Sequence, residues 1–152
     1  QIAKLQGAAH VATTASTQRH ALLTSLGADA CYDYNDPQAM REAGEFDLII
    51  DGIGGDTGMA QLAFLQQDGL LVTLPSVTAD QIITAAQAQG KRAQGIRVNP
   101  NGNQLRTLSK AVADAKISIL IAQSFTLEQL NAAMDLSRTG HAQGKIVIEI
   151  SC

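Results

Sequence analysis

The sequence has few of the residues that build disulfide frameworks, zinc clusters and aromatic platforms. It contains 2 cysteines, no tryptophan and 3% aromatic residues. Cys31 and Cys152 lie far apart without a CxxC spacing, so they provide neither a disulfide framework nor a four-cysteine zinc site. We expect both to be chemically passive, because a buried cysteine behaves as a small hydrophobe.

The sequence also lacks an excess of positive charge and a long apolar run. Its net charge is −3, with 11 basic residues scattered among 14 acidic ones. This distribution offers no basic stripe for nucleic acid and no polybasic anchor for a membrane surface. No run approaches the roughly 18 apolar residues that span a bilayer, and the residues after Gln1 show no signal-peptide pattern. We therefore expect a cytoplasmic protein with neither nucleic-acid nor membrane partners.

The common catalytic and metal-binding motifs are missing as well. The sequence has no GxSxG, HExxH or Walker motif, so nothing supports a hydrolase or a phosphoryl-transfer enzyme. The histidines His10, His20 and His141 have no carboxylate or cysteine at ligand spacing. We therefore expect no metal site.

What the sequence does have is ordinary globular composition, with 45% hydrophobic and 16% charged residues. The predicted strands at 46–51 and 70–74 contain continuously apolar runs at 48–50 and 70–72, which are typical of parallel strands covered on both faces. Their alternation with helices predicts a doubly wound α/β sheet. The predicted strands are 8–14, 30–34, 46–51, 70–74 and 96–98, and the predicted helices between them are 18–26, 37–43, 57–67 and 80–89.

The pattern changes after the Asn-Pro-Asn-Gly turn at 99–102. A small α+β element follows, in which Thr126 and Gln129 form a capping box at the start of a helix. Its other predicted elements are a helix at 104–115 and strands at 117–122 and 145–150. We therefore place a domain boundary near residue 100, with residues 1–100 in one domain and residues 101–152 in the other.

A glycine-rich stretch at 52–58 follows a strand and opens a helix, as dinucleotide-binding fingerprints do. It does not match GxGxxG, because Gly58 comes one position late. Moreover, the segment 70–74 is apolar where an acidic residue would meet the ribose. We interpret the stretch as a turn that can still contact a ligand, since it follows the carboxyl end of a parallel strand.

Hydroxyls and a cation occupy the end of the strand at 8–14, where NAD-binding proteins place Asp or Glu. Thr14, Ser16 and Arg19 could bind a ribose 2′-phosphate, since hydroxyls donate to its oxygens and arginine pairs with it through two parallel hydrogen bonds. The residues alone also allow a polar N-cap followed by a solvated arginine. Both interpretations remain open at this point.

Several short segments, in the right order and spacing, closely resemble the medium-chain dehydrogenase/reductase superfamily. The later ones resemble its zinc-independent quinone oxidoreductase, or zeta-crystallin-like, branch. The segments are 1–8, 25–29, 33–34, 46–51 with Gly54, 69–74, 99–102 with 104–105, and 140–147. The resemblance covers essentially the whole chain. It implies a Rossmann-like NADPH-binding domain at 1–100 and the carboxyl-terminal part of a catalytic domain at 101–152.

The resemblance also implies a function, namely hydride transfer from NADPH to a quinone, an enone or a similar electron-poor substrate. Position by position, Ser16, Arg19 and Tyr34 match the group around the adenosine 2′-phosphate. Gly52 and Ile53 match a turn beside the cofactor.

Near the nicotinamide, the resemblance places Leu74, Pro75 and Ser76. Pro75 departs from a common glycine and removes a backbone donor. The loop 141–145 matches a segment that approaches the cofactor from the other domain. No catalytic acid or base is assigned, because hydride transfer depends mainly on holding cofactor and substrate in line.

Relative to this family, the sequence lacks a first strand, its glycine-rich turn and an amino-terminal catalytic domain. The family's strand order 3-2-1-4-5-6 would put the missing strand between 8–14 and 46–51 and leave two inner edges unpaired. A pyrophosphate would also lose its helix N-terminus. We therefore expect this chain alone to be inactive and to bind NADPH weakly. Since it begins with Gln1 rather than Met, we expect that something was removed or left out.

Two alternatives remain beside the NADPH-dependent reductase. One is a fragment of a zinc-type alcohol dehydrogenase, whose ligands would lie outside this sequence. The other is a non-catalytic nucleotide-binding or assembly module. The family commonly dimerises by joining sheet edges, and the resemblance places that edge at 96–98. We therefore expect a homodimer through this edge, or pairing with an amino-terminal half.

Overall fold

The computed structural model describes residues 1–150, and of Pro37 the backbone alone. The chain divides into two compact units. One comprises residues 12–101, and the other comprises residues 1–11 together with the segment from Gly102 onward. The sequence predicts residues 1–11 in the first domain, whereas in the structure they belong to the same unit as the segment from Gly102 onward.

The elements follow one another along the chain as helices and strands of three to twelve residues. The helices are α1 Ile2–Leu5, α2 His20–Ser25, α3 Pro37–Glu42, α4 Gly55–Ala60, α5 Ala79–Ala88, α6 Gly102–Ala113 and α7 Leu130–Arg138. The strands are β1 Ala12–Thr14, β2 Ala30–Tyr32, β3 Phe46–Asp51, β4 Leu65–Thr73, β5 Arg92–Gly95, β6 Ile121–Thr126 and β7 Lys145–Glu149. Short 3-10 helices occupy Thr17–Arg19, Gln61–Phe64 and Leu127–Gln129.

Strands and helices alternate through residues 12–101, and every strand pair is parallel. β1 pairs with β2, while β4 lies between β3 and β5 in a separate sheet. β6 and β7 form a parallel pair in the other unit. The predicted α/β class with a parallel, Rossmann-like arrangement is confirmed.

One edge of β3 and one edge of β1 have no strand beside them within residues 1–150. This is the place where the family's strand order puts its central strand. Leu48 and Ile50 of β3 are 53% and 59% exposed, although Ile49 between them packs on the core. An apolar strand face of this kind is normally covered in a parallel sheet.

The core of the unit 12–101 lies between β4 and α5. Its fully buried members are Leu62, Leu65, Leu71, Ile82 and Ala86. On α5, the buried residues Ala79, Ile82 and Ala86 follow the three- and four-residue spacing of one helix face. This face packs on the sheet and fixes the loops that follow β3 and β4.

The predicted helix at 57–67 is wrong in its last turn, because β4 already begins at Leu65. The ammonium of Lys91 lies 2.6 Å from the carbonyl oxygen of Leu62 and 2.9 Å from that of Leu65. A lysine 26 residues or more away in sequence thus satisfies the carbonyls where the helical segment ends, and no local pattern could show this.

Two predicted strands are displaced. The strand at 96–98 is wrong, since β5 is Arg92–Gly95 and its last residue pairs with Thr73, the last residue of β4. The strand at 117–122 is also shifted, since β6 is Ile121–Thr126 and its register is set by β7. In both cases the pairing partner, rather than the local apolar run, decides the bounds.

Two other predictions are confirmed, those of β3 and of the capping box. β3 has the bounds predicted from the sequence. The capping box is present, with the backbone N–H of Thr126 donating to Oε1 of Gln129 at 3.1 Å. Within residues 1–150, no helix combines the length and apolarity needed to cross a bilayer.

Replacing the fully buried Leu71 with alanine leaves a cavity between β4 and α5. We expect Leu71→Ala to lower the free energy of unfolding by about 2–5 kcal/mol, measured by urea denaturation of the full polypeptide that carries this sequence. The control is Val77→Ala, because Val77 is 93% exposed and should change stability by less than about 0.5 kcal/mol. Equal effects of the two variants would contradict this core assignment.

Candidate functional site

The first group of predicted site residues follows β1 and β2. Thr14 is the last residue of β1 and pairs with Tyr32, the last residue of β2. The strands are parallel neighbours, so Ser16 and Arg19 emerge at the same edge as Tyr34. The structure therefore brings the predicted 2′-phosphate group to one edge of one sheet.

Asp33 connects the two loops at this edge. Its Oδ2 accepts from the hydroxyl of Thr17 at 2.6 Å and from the backbone N–H of Thr17 at 3.3 Å. Its Oδ1 accepts from the backbone N–H and the side-chain amide of Asn35 at 2.9 and 3.0 Å. The Thr17 hydroxyl, followed by the Asn35 backbone N–H, lowers the pKa of the Asp33 carboxyl from 3.8 to about 2.

This contact bears on the two interpretations left open for Ser16 and Arg19. Ser16 is the N-cap of the 3-10 helix Thr17–Arg19, but its side chain makes no capping hydrogen bond. Asp33 accepts from the first N–H of that helix instead. Ser16 therefore does not act as the polar side-chain cap of the alternative interpretation.

Arg19, Ser16 and Tyr34 supply the chemistry that a phosphate monoester needs. The Arg19 guanidinium makes no hydrogen bond or ion pair within residues 1–150. Ser16 and Arg19 are partly exposed, and Tyr34 is 62% exposed. A guanidinium and two hydroxyls at one strand edge fit a 2′-phosphate, because all three donate to anionic oxygens.

The second group of predicted residues follows β3 and β4, which are also parallel neighbours. Gly52 and Ile53 are exposed at the turn after β3, and Leu74, Pro75 and Ser76 follow β4. The backbone N–H of Leu74 donates to the carbonyl oxygen of Asp51 at 2.9 Å. The structure thus joins the ends of these two strands.

Asp51 holds the turn after β3 through a fully buried carboxylate. Its Oδ1 accepts from the backbone N–H groups of Ile53 and Gly54 at 2.9 and 3.0 Å. Its Oδ2 accepts from the buried hydroxyl of Thr73 at 2.8 Å. The carboxylate therefore couples the turn at 52–54 to the end of β4, where the predicted nicotinamide segment starts.

Close packing leaves no room for a side chain at Gly54 or Gly58. Gly54 has a positive φ of 76°, and a Cβ there would collide with Thr78 and press on Pro75. A Cβ at Gly58 would lie 2.5 Å from Ile82 and 2.6 Å from Asp51. The late third glycine thus lets α4 pack closely on α5 and Asp51, which explains the departure from GxGxxG.

The two groups of predicted residues follow strands of two separate sheets within residues 1–150. Hydrogen-bonded strand pairing therefore does not connect the two groups. The loop 141–145 belongs to the other unit. Assignment of all these residues to a cofactor stays a prediction.

Sequence reasoning missed Asp33 and Asp51 as organising residues. Both stand within the segments that carry the family resemblance. Their partners Thr17 and Thr73 are 16 and 22 residues away, and only strand pairing brings them close. An acidic residue at or near the end of a predicted strand was the available signal.

A metal site is not supported by the described residues. Within residues 1–150, no group of three or more His, Cys, Asp or Glu side chains could hold a metal ion. The described residues therefore do not fit a zinc centre, and the expectation of no metal for the complete protein stays a prediction.

Replacing Thr73 with valine removes the hydroxyl that donates to buried Asp51. We expect Thr73→Val to lower the free energy of unfolding by about 1–3 kcal/mol, because a buried carboxylate oxygen loses a donor. The control is Thr84→Val, since the exposed hydroxyl of Thr84 bonds only the carbonyl of Asp80 in its own helix. A Thr73 variant as stable as the control in urea denaturation would refute the role assigned to this bond.

The low pKa of Asp33 gives a prediction in acid. Hydrogen bonds to the ionised form stabilise the folded chain above the ordinary pKa of about 3.8, and this stabilisation is lost as the pH falls toward about 2. Carboxyl chemical shifts in NMR should show Asp33 still ionised at about pH 3, and Thr17→Val should raise its pKa. A wild-type midpoint at the ordinary value would contradict the observed contacts.

Comparison with known proteins places this geometry in a family. The family model described as zinc-binding dehydrogenase matches residues 26–148. A chloroplastic quinone-oxidoreductase of Triphysaria versicolor is 29% identical, with 98% of this chain and 47% of the relative covered. A chloroplastic NADPH-dependent alkenal/one oxidoreductase of Arabidopsis thaliana is 28% identical, with 97% and 36% covered.

Solved structures agree with the sequence comparison. The quinone oxidoreductase of Coxiella burnetii superposes with a TM-score of 0.90 at 34% identity, and the match covers 99% of this chain and 47% of that protein. The chain thus spans about half the length of most of the proteins it matches. The residues matched by the family model include β3 to β6, most of β7 and both strand ends of the second site group. The chain belongs to the zinc-binding dehydrogenase family of the medium-chain dehydrogenase/reductase superfamily.

Proposed function

We propose that this chain forms the cofactor-binding part of an NADPH-dependent reductase that transfers hydride to a quinone, an enone or a similar electron-poor substrate. The observation that carries the proposal is the shared edge of β1 and β2, after which Ser16, Arg19 and Tyr34 follow. There the guanidinium has no partner within residues 1–150, and the Ser16 hydroxyl makes no capping bond.

The chain's own residues bind and orient the cofactor. Arg19 pairs with the 2′-phosphate, and the hydroxyls of Ser16 and Tyr34 donate to its oxygens. The turn at 52–54, held by Asp51, and the segment 74–76 line the path toward the nicotinamide. NADPH, when bound, supplies the hydride, and this chain contributes alignment rather than an acid or a base.

The substrate class rests on the family. The relatives in Triphysaria versicolor and Arabidopsis thaliana are named for quinones and for alkenals and alkenones. Both substrate kinds are electron-poor and accept hydride. The activity of the whole protein is a proposal, since this chain spans about half of its relatives.

We further propose that the reaction is independent of zinc. The described residues supply no metal-binding group, and the matching family nevertheless includes zinc in its description. A zinc-type alcohol dehydrogenase therefore remains the enzymatic alternative. Metal analysis of the full polypeptide separates the two, since one tightly bound zinc per catalytic centre would favour the alternative.

A third proposal concerns assembly. β5 ends the three-stranded sheet, and β1 and β3 each leave one edge open within residues 1–150. Open strand edges favour pairing with another chain or segment. We propose a homodimer through the β5 edge, or pairing of the inner edges with an amino-terminal half, in the cytoplasm. A non-catalytic assembly module would use the same edges, and lack of NADPH oxidation by the full polypeptide would favour it.

Replacing Arg19 with alanine tests the cofactor assignment. We expect Arg19→Ala to weaken NADPH binding roughly tenfold to a hundredfold, since one charge-assisted pair is lost, and to leave NADH binding unchanged. Fluorescence titration of the full polypeptide measures both affinities. Arg41→Ala is the matched control, because Arg41 is exposed in the last turn of α3, in the same unit. An Arg19 variant that binds both cofactors like the control would remove this residue from its proposed role.

A further inference from the structure

The helical turn that carries Arg19 is capped from the loop that follows the neighbouring strand β2. The 3-10 helix Thr17–Arg19 starts after Ser16, whose side chain makes no capping hydrogen bond. The acceptor for the backbone N–H of Thr17 is the carboxylate of Asp33, in the loop after β2. The same carboxylate oxygen accepts from the Thr17 hydroxyl at 2.6 Å, which is a short, charge-assisted contact.

The other oxygen of Asp33 fixes this carboxylate in place. It accepts from the backbone N–H and the side-chain amide of Asn35, and Tyr34 lies between these two residues. Each oxygen of the carboxylate thus accepts two hydrogen bonds, and the loops after β1 and β2 become one connected unit. The pKa of Asp33, lowered to about 2 chiefly by the Thr17 hydroxyl, keeps it ionised at neutral pH.

Two consequences follow for the residues at this edge. Because Asp33 performs the capping, the hydroxyl of Ser16 is left available for a ligand. Because Thr17 is anchored, the 3-10 turn that it begins holds the backbone of Arg19 with reduced freedom, and preorganised donors bind a phosphate with less loss of entropy.

We propose that Asp33 is a positioning residue that sets the preference of this site for a dinucleotide carrying a 2′-phosphate over one carrying a free ribose hydroxyl. It does so through Thr17 rather than by touching the cofactor. The inference deepens and rests on the function proposed above.

A carboxylate next to a phosphate site has a second conceivable effect, which is repulsion. The two effects have opposite signs. If Asp33 mainly repelled the phosphate, its neutralisation would strengthen NADPH binding. If it positions the loop, neutralisation weakens NADPH binding, because asparagine presents an NH₂ group to one of the two pairs of donors.

The experiment compares NADPH and NADH affinities by fluorescence titration of the full polypeptide and its variants. Asp33→Asn removes the charge and mismatches one pair of donors, while Thr17→Val removes the hydroxyl without changing any charge. Thr17→Ser restores the hydroxyl. Asp36→Asn is the matched control, because Asp36 is an exposed carboxylate that caps α3 through Gln38 and Ala39 and makes no bond to the loop after β1.

We expect Asp33→Asn and Thr17→Val each to lower the ratio of NADPH to NADH affinity by at least about fivefold, which is the net value of one hydrogen bond. Thr17→Ser and Asp36→Asn should keep the wild-type ratio. A merely structural role would weaken both cofactors alike and leave the ratio unchanged.

Three outcomes overturn the inference. These are a raised NADPH affinity in Asp33→Asn, an unchanged ratio in both variants, or a Thr17→Ser variant as impaired as Thr17→Val. If wild type prefers NADPH and Arg19→Ala abolishes the preference while the Asp33 and Thr17 variants do not, only this inference fails. If wild type binds neither cofactor, or both equally, the proposed function fails together with it.

Discussion

The buried carboxylate of Asp51 is the contact on which the second half of the site depends. Burying a polar side chain is costly unless hydrogen bonds replace the water it loses. Here the replacements come from the turn that follows β3 and from Thr73 on β4. The hydrogen bonds that the buried Asp51 side chain requires therefore determine how the two loops approach each other. It also explains Gly58, whose missing side chain leaves room for that carboxylate.

At the other strand edge, a carboxylate also connects the ends of two neighbouring strands. Asp33 joins the loops after β1 and β2 as Asp51 joins the loops after β3 and β4. In each case a carboxylate on one parallel strand, or directly after it, meets a threonine on the neighbouring strand or just beyond its end. Parallel pairing makes this possible, because it brings successive carboxyl ends to one edge. The residues predicted to bind the cofactor are exposed or partly exposed, while Asp33 and Asp51 accept hydrogen bonds from the backbone.

Much of the fold could be predicted from the sequence, because alternating apolar strands and helices identify a parallel α/β sheet without any knowledge of pairing. β3 is predicted at the right residues for this reason. The capping box at Thr126 is predicted correctly because Gln129 follows three positions later. The end of the helical segment before Leu65 and the bounds of β5 depend on Lys91 and on Thr73, which are distant in sequence. The candidate site likewise contains residues that the sequence predicts and residues whose role depends on distant partners. Residue types at strand ends predicted Ser16 and Arg19, whereas Asp33 and Asp51 act through partners that only the folded chain reveals.

The cap supplied to one loop by a different strand has a consequence for redesign. A loop exchange that imports a phosphate-binding sequence after β1 would supply an arginine but not the carboxylate that holds its turn, because that carboxylate, Asp33, lies after β2. The two loops have to be transplanted together, with the threonine and the carboxylate kept as a pair. Laboratory tests of the proposed nucleotide preference at this edge should treat those two segments as a single module.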